Sequence, residues 1–211
     1  MCLGVDEAGK GPVLGSMFAA AVRVDPGDLP AGMADSKSLS PDRREELARG
    51  IRETADAVAV AEVPVGRIDN PETDMNALAV AAHAEALAGA AEDGDEAYVD
   101  ACDTSAARFG RDVGQAAPVD LDTRAEHGAD ETYPVVSAAS VVAKVERDAR
   151  IEALADTYGD LGSGYPSDER TRAFLAAYVR DHGELPSCAR ASWSTCADVL
   201  AAAEQSSLSE F

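Results

Sequence analysis

The chain opens Met1-Cys-Leu-Gly-Val-Asp-Glu-Ala-Gly-Lys-Gly-Pro-Val-Leu-Gly15, a short apolar run that stops at two adjacent carboxylates and enters a glycine-rich turn. Three readings compete for it. A phosphate-binding P-loop needs Gly-Lys followed by Ser or Thr to ligate magnesium. Gly4 and Gly9-Lys10 have the spacing, but Gly11 stands where the hydroxyl belongs, and Asp6 and Glu7 would repel the phosphates inside the cradle. A dinucleotide fingerprint fails because Gly9, Gly11 and Gly15 miss the required spacing. The third reading is a strand that ends in a solvated acidic turn. Acids where phosphates would be expected suggest instead that a metal ion mediates.

The formal charge of −21 in 211 residues accompanies 46% hydrophobic content, which excludes disorder as its cause. The acids are spread along the whole chain, the pattern of a protein from a salt-loving host, where molar salt shrinks the screening length to about 3 Å. Such a surface masks any signal of a nucleic-acid partner. The three lysines, Lys10, Lys37 and Lys144, each sit in unusual local sequence: Gly-Lys-Gly, Asp35-Ser-Lys-Ser-Leu39 and Ser137-Ala-Ala-Ser-Val-Val-Ala-Lys144. In a chain that otherwise uses Arg, that points to function. Cys2, Cys102, Cys188 and Cys196 make neither a C-x-x-C pair nor a zinc spacing, so reduced thiols in a cytoplasmic, soluble protein are expected. No apolar run approaches the roughly 18 residues of a membrane span.

Short strands are predicted at Cys2–Asp6, Ser16–Val24, Ala57–Val65 and Glu96–Ala101, and a further one within Ala117–Leu121. Ser40-Pro41 caps a helix over Asp42–Thr54; further helices are predicted at Asp74–Ala91, Thr104–Val113, Val135–Tyr158, Glu169–His182 and Ser194–Glu204. Two strands followed by alternating strand and helix give an α/β fold, a mixed sheet with helices on its faces. In the helix after Pro134, Ala138, Val141, Val142, Val145 and Ala149 form the expected buried stripe, and Ser140, Lys144 and Arg147 share a polar face.

Asp100 ends the run Glu96-Ala-Tyr-Val-Asp100, and Asp130 precedes Pro134. Strand ends are where α/β sheets collect ligands. Four carboxylates gathered at one sheet edge would require cations. Two Mg2+ or Mn2+ ions about 3.5–4 Å apart would neutralise them and clamp a phosphodiester. Asp6 and Glu7 are neighbours, so on a regular strand they point to opposite faces, and one is expected to leave strand geometry to join the site. None of His83, His127 and His182 is assigned to catalysis.

Val5-Asp-Glu-Ala-Gly-Lys-Gly-Pro12, Asp35-Ser-Lys-Ser-Leu-Ser40, Pro134 to Asp148 and Gly162-Ser-Gly-Tyr-Pro-Ser-Asp168, in this order, resemble ribonuclease HII in its archaeal form. The resemblance implies a ribonuclease H-like mixed sheet over residues 1–158, a C-terminal helical part over 159–204 packed on it, and a tail over 205–211. It implies that Asp6, Glu7, Asp100 and Asp130 are catalytic ligands of two divalent metal ions. Gly9, Lys10 and Gly11 match a tripeptide, usually with Arg in the middle, that reads the ribose 2′-hydroxyl through its backbone, the atom by which RNA differs from DNA. Tyr165 matches a tyrosine that stacks on the sugar, and Lys37, Ser140 and Lys144 match phosphate contacts. The implied substrates are RNA–DNA hybrids and duplex DNA carrying ribonucleotides, cut 5′ of the ribonucleotide to leave a 5′-phosphate, by a monomer. The rival is a non-catalytic nucleic-acid or clamp-binding module on the same fold. Gln205, Leu208 and Phe211 resemble the peptide with which replication proteins dock on the sliding clamp.

Overall fold

The structure is a computed structural model that describes residues 1–33 and 39–208. Strands Cys2–Ala8 (β1), Met17–Val24 (β2), Ala57–Val63 (β3), Glu96–Asp100 (β4) and Asp122–Glu126 (β5) form one sheet in the order β3-β2-β1-β4-β5. β1 runs antiparallel to β2 and parallel to β4, which in turn is parallel to β5. The helices are Pro41–Thr54 (α1), Val65–Ile68 (α2), Met75–Ala90 (α3), Ala106–Ala116 (α4), Ala129–Thr132 (α5), Pro134–Tyr158 (α6), Glu169–His182 (α7) and Ser194–Leu208 (α8). α1 starts as its sequence dictates, with the Ser40 hydroxyl accepting from the Arg43 N–H and Pro41 in the first turn.

Strand periodicity sorts β1 between two cores. Leu3 and Val5 pack with Ala97 and Val99 against Leu78 and Leu87 of α3 and Phe109 of α4. On the opposite face, Ala20 and Val22 of β2 meet Val135, Val136 and Ala139 of α6, with Leu47 and Ile51 of α1 behind. A third cluster of Val13, Leu14, Leu161, Leu175, Cys188 and Cys196 ties the loop after β1 to α7 and α8. β2 is buried along nearly its whole length, as a central strand covered on both faces must be.

Gly4 sets how closely α6 lies on β1. A β-carbon there would meet the Val135 carbonyl carbon and oxygen at 2.4 Å. From that crossing, five residues along α6 advance about 7.5 Å and two along β1 about 6.6 Å, so Ser140 arrives at Asp6. The parallel register Val5↔Val99 makes Asp6 and Asp100 the next neighbours on adjacent strands.

Four expectations are corrected. Ala117–Leu121 is loop, and the fifth strand is Asp122–Glu126; it is a polar edge strand, exposed at alternate residues, so hydrophobicity does not mark it. The expected buried stripe of α6 does not hold throughout: Ala149 is exposed, whereas Ser140 and Arg147 of the polar face are buried. Both Asp6 and Glu7 remain inside β1, which pairs with β2 through Ala8. α8 continues past residue 204 to Leu208, so Gln205 is helical; Lys37 and Phe211 lie outside the described residues.

Replacing Gly4 by Ala forces the α6 backbone off β1. Chemical unfolding in molar KCl should register a loss of about 3 kcal/mol, the upper end for overpacking a tight core, against little change for the exposed Gly66→Ala, whose β-carbon meets nothing within 4 Å.

Candidate active site

The carboxylates converge because β1 and β4 are adjacent and parallel, so their C-terminal ends share one edge of the sheet. Asp6 is 5% exposed. Its Oδ1 accepts from the Glu7 N–H at 2.7 Å, and it hydrogen-bonds Ser140. Burial, then the charges of Glu7 and Asp100, hold its carboxyl well above the usual carboxylate range. Asp100 accepts from the Ala129 N–H at 2.7 Å, at the start of α5. Burial raises Asp100 too, with that N–H opposing and the charges of Asp130 and Glu7 adding. Asp130 is thus brought to the group by α5, one residue beyond the amide that anchors Asp100.

Glu7 points to the α3 side, as its strand position dictates, yet stays within electrostatic reach of Asp6 and Asp100 because β4 ends beside it. Burial raises its carboxyl, with Lys10 as the main opposing charge. Glu7 Oε2 stands 3.4 Å from His83 Nε2, and both atoms are buried without a hydrogen-bond partner. His83 Nδ1 lies 2.9 Å from the Ala79 carbonyl, which can only accept, so the proton sits on Nδ1 and Nε2 turns its lone pair to Glu7. Burial pushes this histidine down to about 4, which keeps it neutral. Sequence reading passed over this contact; the one available signal was a lone polar ring in an alanine-rich helix. His127 is held by the Ala101 carbonyl at 3.0 Å, just beyond Asp100.

Beside Glu7 opens a cleft of about 390 Å3. Its lining holds Lys10, Arg44, Lys144 and Arg147 against only Glu7 and Asp148, and it is completed by Gly9, Gly11 and Tyr165. In a chain of net charge −21 this is a local reversal of sign. Asp6, Asp100 and Asp130 are not part of that lining; Glu7 joins the carboxylates to the cleft. The Arg147 guanidinium lies 4.9 Å from the centre of the Tyr165 ring and donates to the Ser163 carbonyl, which fixes the tyrosine from behind. Arg44 pairs loosely with Asp148 at 3.5 Å. Neither arginine was singled out for substrate from sequence, because α1 and α6 approach each other only in the fold.

The side chains of two expected substrate residues are held within the protein itself. The Lys10 ammonium donates to the Cys102 carbonyl at 2.6 Å and to Asn76 Oδ1 at 2.9 Å, so it braces the ends of β4 and α3. Ser140 is buried between Asp6 and the Lys144 ammonium, which donates to its hydroxyl at 2.8 Å. Gly11 faces Tyr165, with a would-be β-carbon 3.9 Å from its ring.

The donor set suits a hard divalent cation: four carboxylates, mutual repulsion that a cation relieves, and a buried Glu7 oxygen without a partner. Among the described residues, no three Asp, Glu, His or Cys side chains are gathered tightly enough to hold one ion as they stand. No helix among the described residues is long and apolar enough to cross a membrane.

A mixed sheet whose first and fourth strands end in carboxylates beside a cationic cleft defines an enzyme of the ribonuclease H-like class. The family model described as Ribonuclease HII matches residues 3–196. A Ribonuclease HII of Haloarcula marismortui, a halophilic archaeon, is 64% identical over 211 residues, covering 100% of each chain. The crystal structure of ribonuclease H2 from Pyrococcus horikoshii superposes with TM-score 0.90 at 35% identity, covering 97% of this chain and 99% of that one. That of ribonuclease HII in the PCNA:RNase HII complex from Archaeoglobus fulgidus gives TM-score 0.84 at 39% identity, covering 94% and 96%. The chain belongs to the ribonuclease HII family, the type II ribonucleases H.

Raised carboxyls bind protons more tightly folded than unfolded, so their contribution favours the fold below the unfolded range near 4 and is lost as pH rises through the folded values. Without metal, Asp6→Asn should therefore melt about 2–4 °C higher at pH 7, the shift expected for roughly 1 kcal/mol in a domain of this size. It should also lose most of the stabilisation that added Mn2+ confers on the parent, as read by calorimetry.

Proposed function

We propose that this chain hydrolyses the phosphodiester 5′ to a ribonucleotide, in RNA–DNA hybrids and at single ribonucleotides in duplex DNA, leaving a 5′-phosphate. The observation that carries this reading is the charge reversal: Lys10, Arg44, Lys144 and Arg147 meet in one cleft of an otherwise acidic protein, and the cleft opens on Glu7. A polyanion is the ligand that such a cleft selects.

Asp6, Glu7, Asp100 and Asp130 would hold two divalent ions, Mg2+ or Mn2+. When bound, they would supply Lewis-acid activation of water and stabilisation of the leaving oxygen. The chain's own residues do the positioning. Lys144 reaches the cleft while tethered through Ser140 to Asp6, which couples phosphate placement to the carboxylates. Arg44 and Arg147 draw the strand along α1 and α6. Tyr165, held by Arg147, offers its ring to the sugar opposite Gly11, and the glycine allows close approach of that sugar. Gly9, Lys10 and Gly11 read the 2′-hydroxyl through the backbone, which leaves the Lys10 side chain free for its structural bonds.

We further propose that Gln205, Leu208 and Phe211 dock on a sliding clamp. The support is the motif itself and the relative from Archaeoglobus fulgidus, whose structure is a complex with PCNA.

Incubated with Mn2+ in molar KCl, the parent should nick a duplex carrying one ribonucleotide on its 5′ side, and Asp100→Asn should be slower by about 100-fold or more, beyond the usual effect of an outer-shell group. A parent that leaves this duplex intact would favour the non-catalytic module, and an Asp100→Asn variant as active as a nicking parent would remove Asp100 from the catalytic set. Arg44→Gln should weaken binding of ribonucleotide-containing and all-DNA duplexes alike, and reduce the slope of log affinity against log salt by about 0.9. Fluorescence titration across a salt series reads both effects.

A further inference from the structure

Arg190 heads the fully buried side chains, at 0% exposure, and lies between α7 and α8, 181 positions from the loop residue it touches. Its Nη2 donates to the Gly9 carbonyl at 2.6 Å, Nη1 to the Lys10 carbonyl at 3.0 Å and Nε to the Gly15 carbonyl at 2.9 Å. Among the described residues it forms no ion pair. The nearby Asp69 carboxylate accepts instead from the Ala191 and Ser192 N–H groups and the Ser192 hydroxyl. A buried guanidinium solvated only by carbonyls is costly to keep, and these carbonyls belong to one loop. Next to it, Trp193 Nε1 donates to the Gly11 carbonyl at 3.3 Å, and its ring centre lies 5.0 Å from the guanidinium. Three successive carbonyls, of Gly9, Lys10 and Gly11, are therefore gripped from the C-terminal segment.

This grip determines what the loop shows to the cleft. Among the described residues no peptide bond is cis, and in a planar trans peptide the C=O of one residue opposes the N–H of the next. With the Gly9 and Lys10 carbonyls turned onto Arg190, the N–H groups of Lys10 and Gly11 point away from the guanidinium, and Gly9, Lys10 and Gly11 line the cleft together with Tyr165. Among the described residues neither N–H has a hydrogen-bond partner. The turn that allows this runs through Gly9 at φ +91°, where a β-carbon would also stand 3.0 Å from the Ser16 carbonyl.

We propose that Arg190 is a positioning residue for ribose recognition: its grip on the Gly9 and Lys10 carbonyls keeps two backbone donors facing the cleft, ready for the 2′-hydroxyl oxygen of the ribonucleotide. The inference rests on the reading of Gly9–Gly11 as the sugar-reading loop and identifies the residue that sets the loop's polarity. Arg190 acts through the loop and touches no substrate.

The test compares dissociation constants of the full-length parent, Arg190→Lys and Trp193→Phe for two duplexes that differ only by one ribonucleotide, with metal omitted so that no nicking occurs. Arg190→Lys keeps a cation but cannot span three carbonyls. It should melt cooperatively and bind all-DNA duplex like the parent, while its preference for the ribonucleotide falls about tenfold or to parity, more than one ordinary hydrogen bond commands. Trp193→Phe, which loses only the Gly11 tie, should lose about fivefold or less. A folded Arg190→Lys that retains the parent's preference overturns the proposal; should that variant not fold, Arg190→Gln, whose amide can still donate to one of these carbonyls, takes its place, and an unchanged preference there overturns the proposal. A parent without any ribose preference overturns the loop reading itself and the role of Arg190 with it.

Discussion

Carboxylates crowded into a largely dry pocket repel one another, and much of the surrounding structure answers that repulsion. Asp6 is buried and pushed toward its protonated form by burial, Glu7 and Asp100. The fold meets this with fixed donors and nearby cations: the Ser140 hydroxyl and Glu7 N–H at Asp6, the Ala129 N–H at Asp100, and Lys10 and Lys144 near Glu7. What they leave uncompensated, including a Glu7 oxygen facing the histidine lone pair, is a demand for added positive charge. Stability is given up at this edge, the usual trade where charge is concentrated for function.

Sheet topology is what makes the crowding possible. β1 is the switch strand, antiparallel to β2 on one side and parallel to β4 on the other. Only the parallel side brings two strand ends to the same edge, and the register then places Asp6 beside Asp100. Gly4 lets α6 lie close enough for Ser140 to reach Asp6, and the same helix carries Lys144 and Arg147 onward to the cleft. One close approach thus couples the carboxylate edge to the cationic cleft.

Much of the frame was legible from residues alone. The β1 ending, the Ser40-Pro41 cap and the long helix after Pro134 are local signals, and local signals survive folding. Asp6, Glu7 and Asp100 were legible one by one as acids toward strand ends, and Asp130 as an acid ahead of the Pro134 helix. The fifth strand was misplaced because an edge strand of Asp-Thr-Arg-Ala-Glu has little apolar pattern to read. The burial of Ser140 and Arg147 on the polar face of α6 was not legible because helical periodicity says which residues share a face and nothing about what that face meets. Arg44, His83 and Arg190 escaped for the same reason: each acts across a distance in sequence that no spacing rule spans.

By itself the sequence determined which chemistry was available: oxygen ligands for a hard cation, glycines where the chain must bend sharply, and scarce lysines kept at special places. Those are properties of side chains and of local backbone freedom, and they do not depend on neighbours. Tertiary structure alone decided which acids share an electrostatic environment, which cations leave the surface to line the cleft, and that a buried arginine far along the chain takes the carbonyls of the first loop. Electric fields and hydrogen bonds act over a few ångströms of space, whatever the separation along the chain.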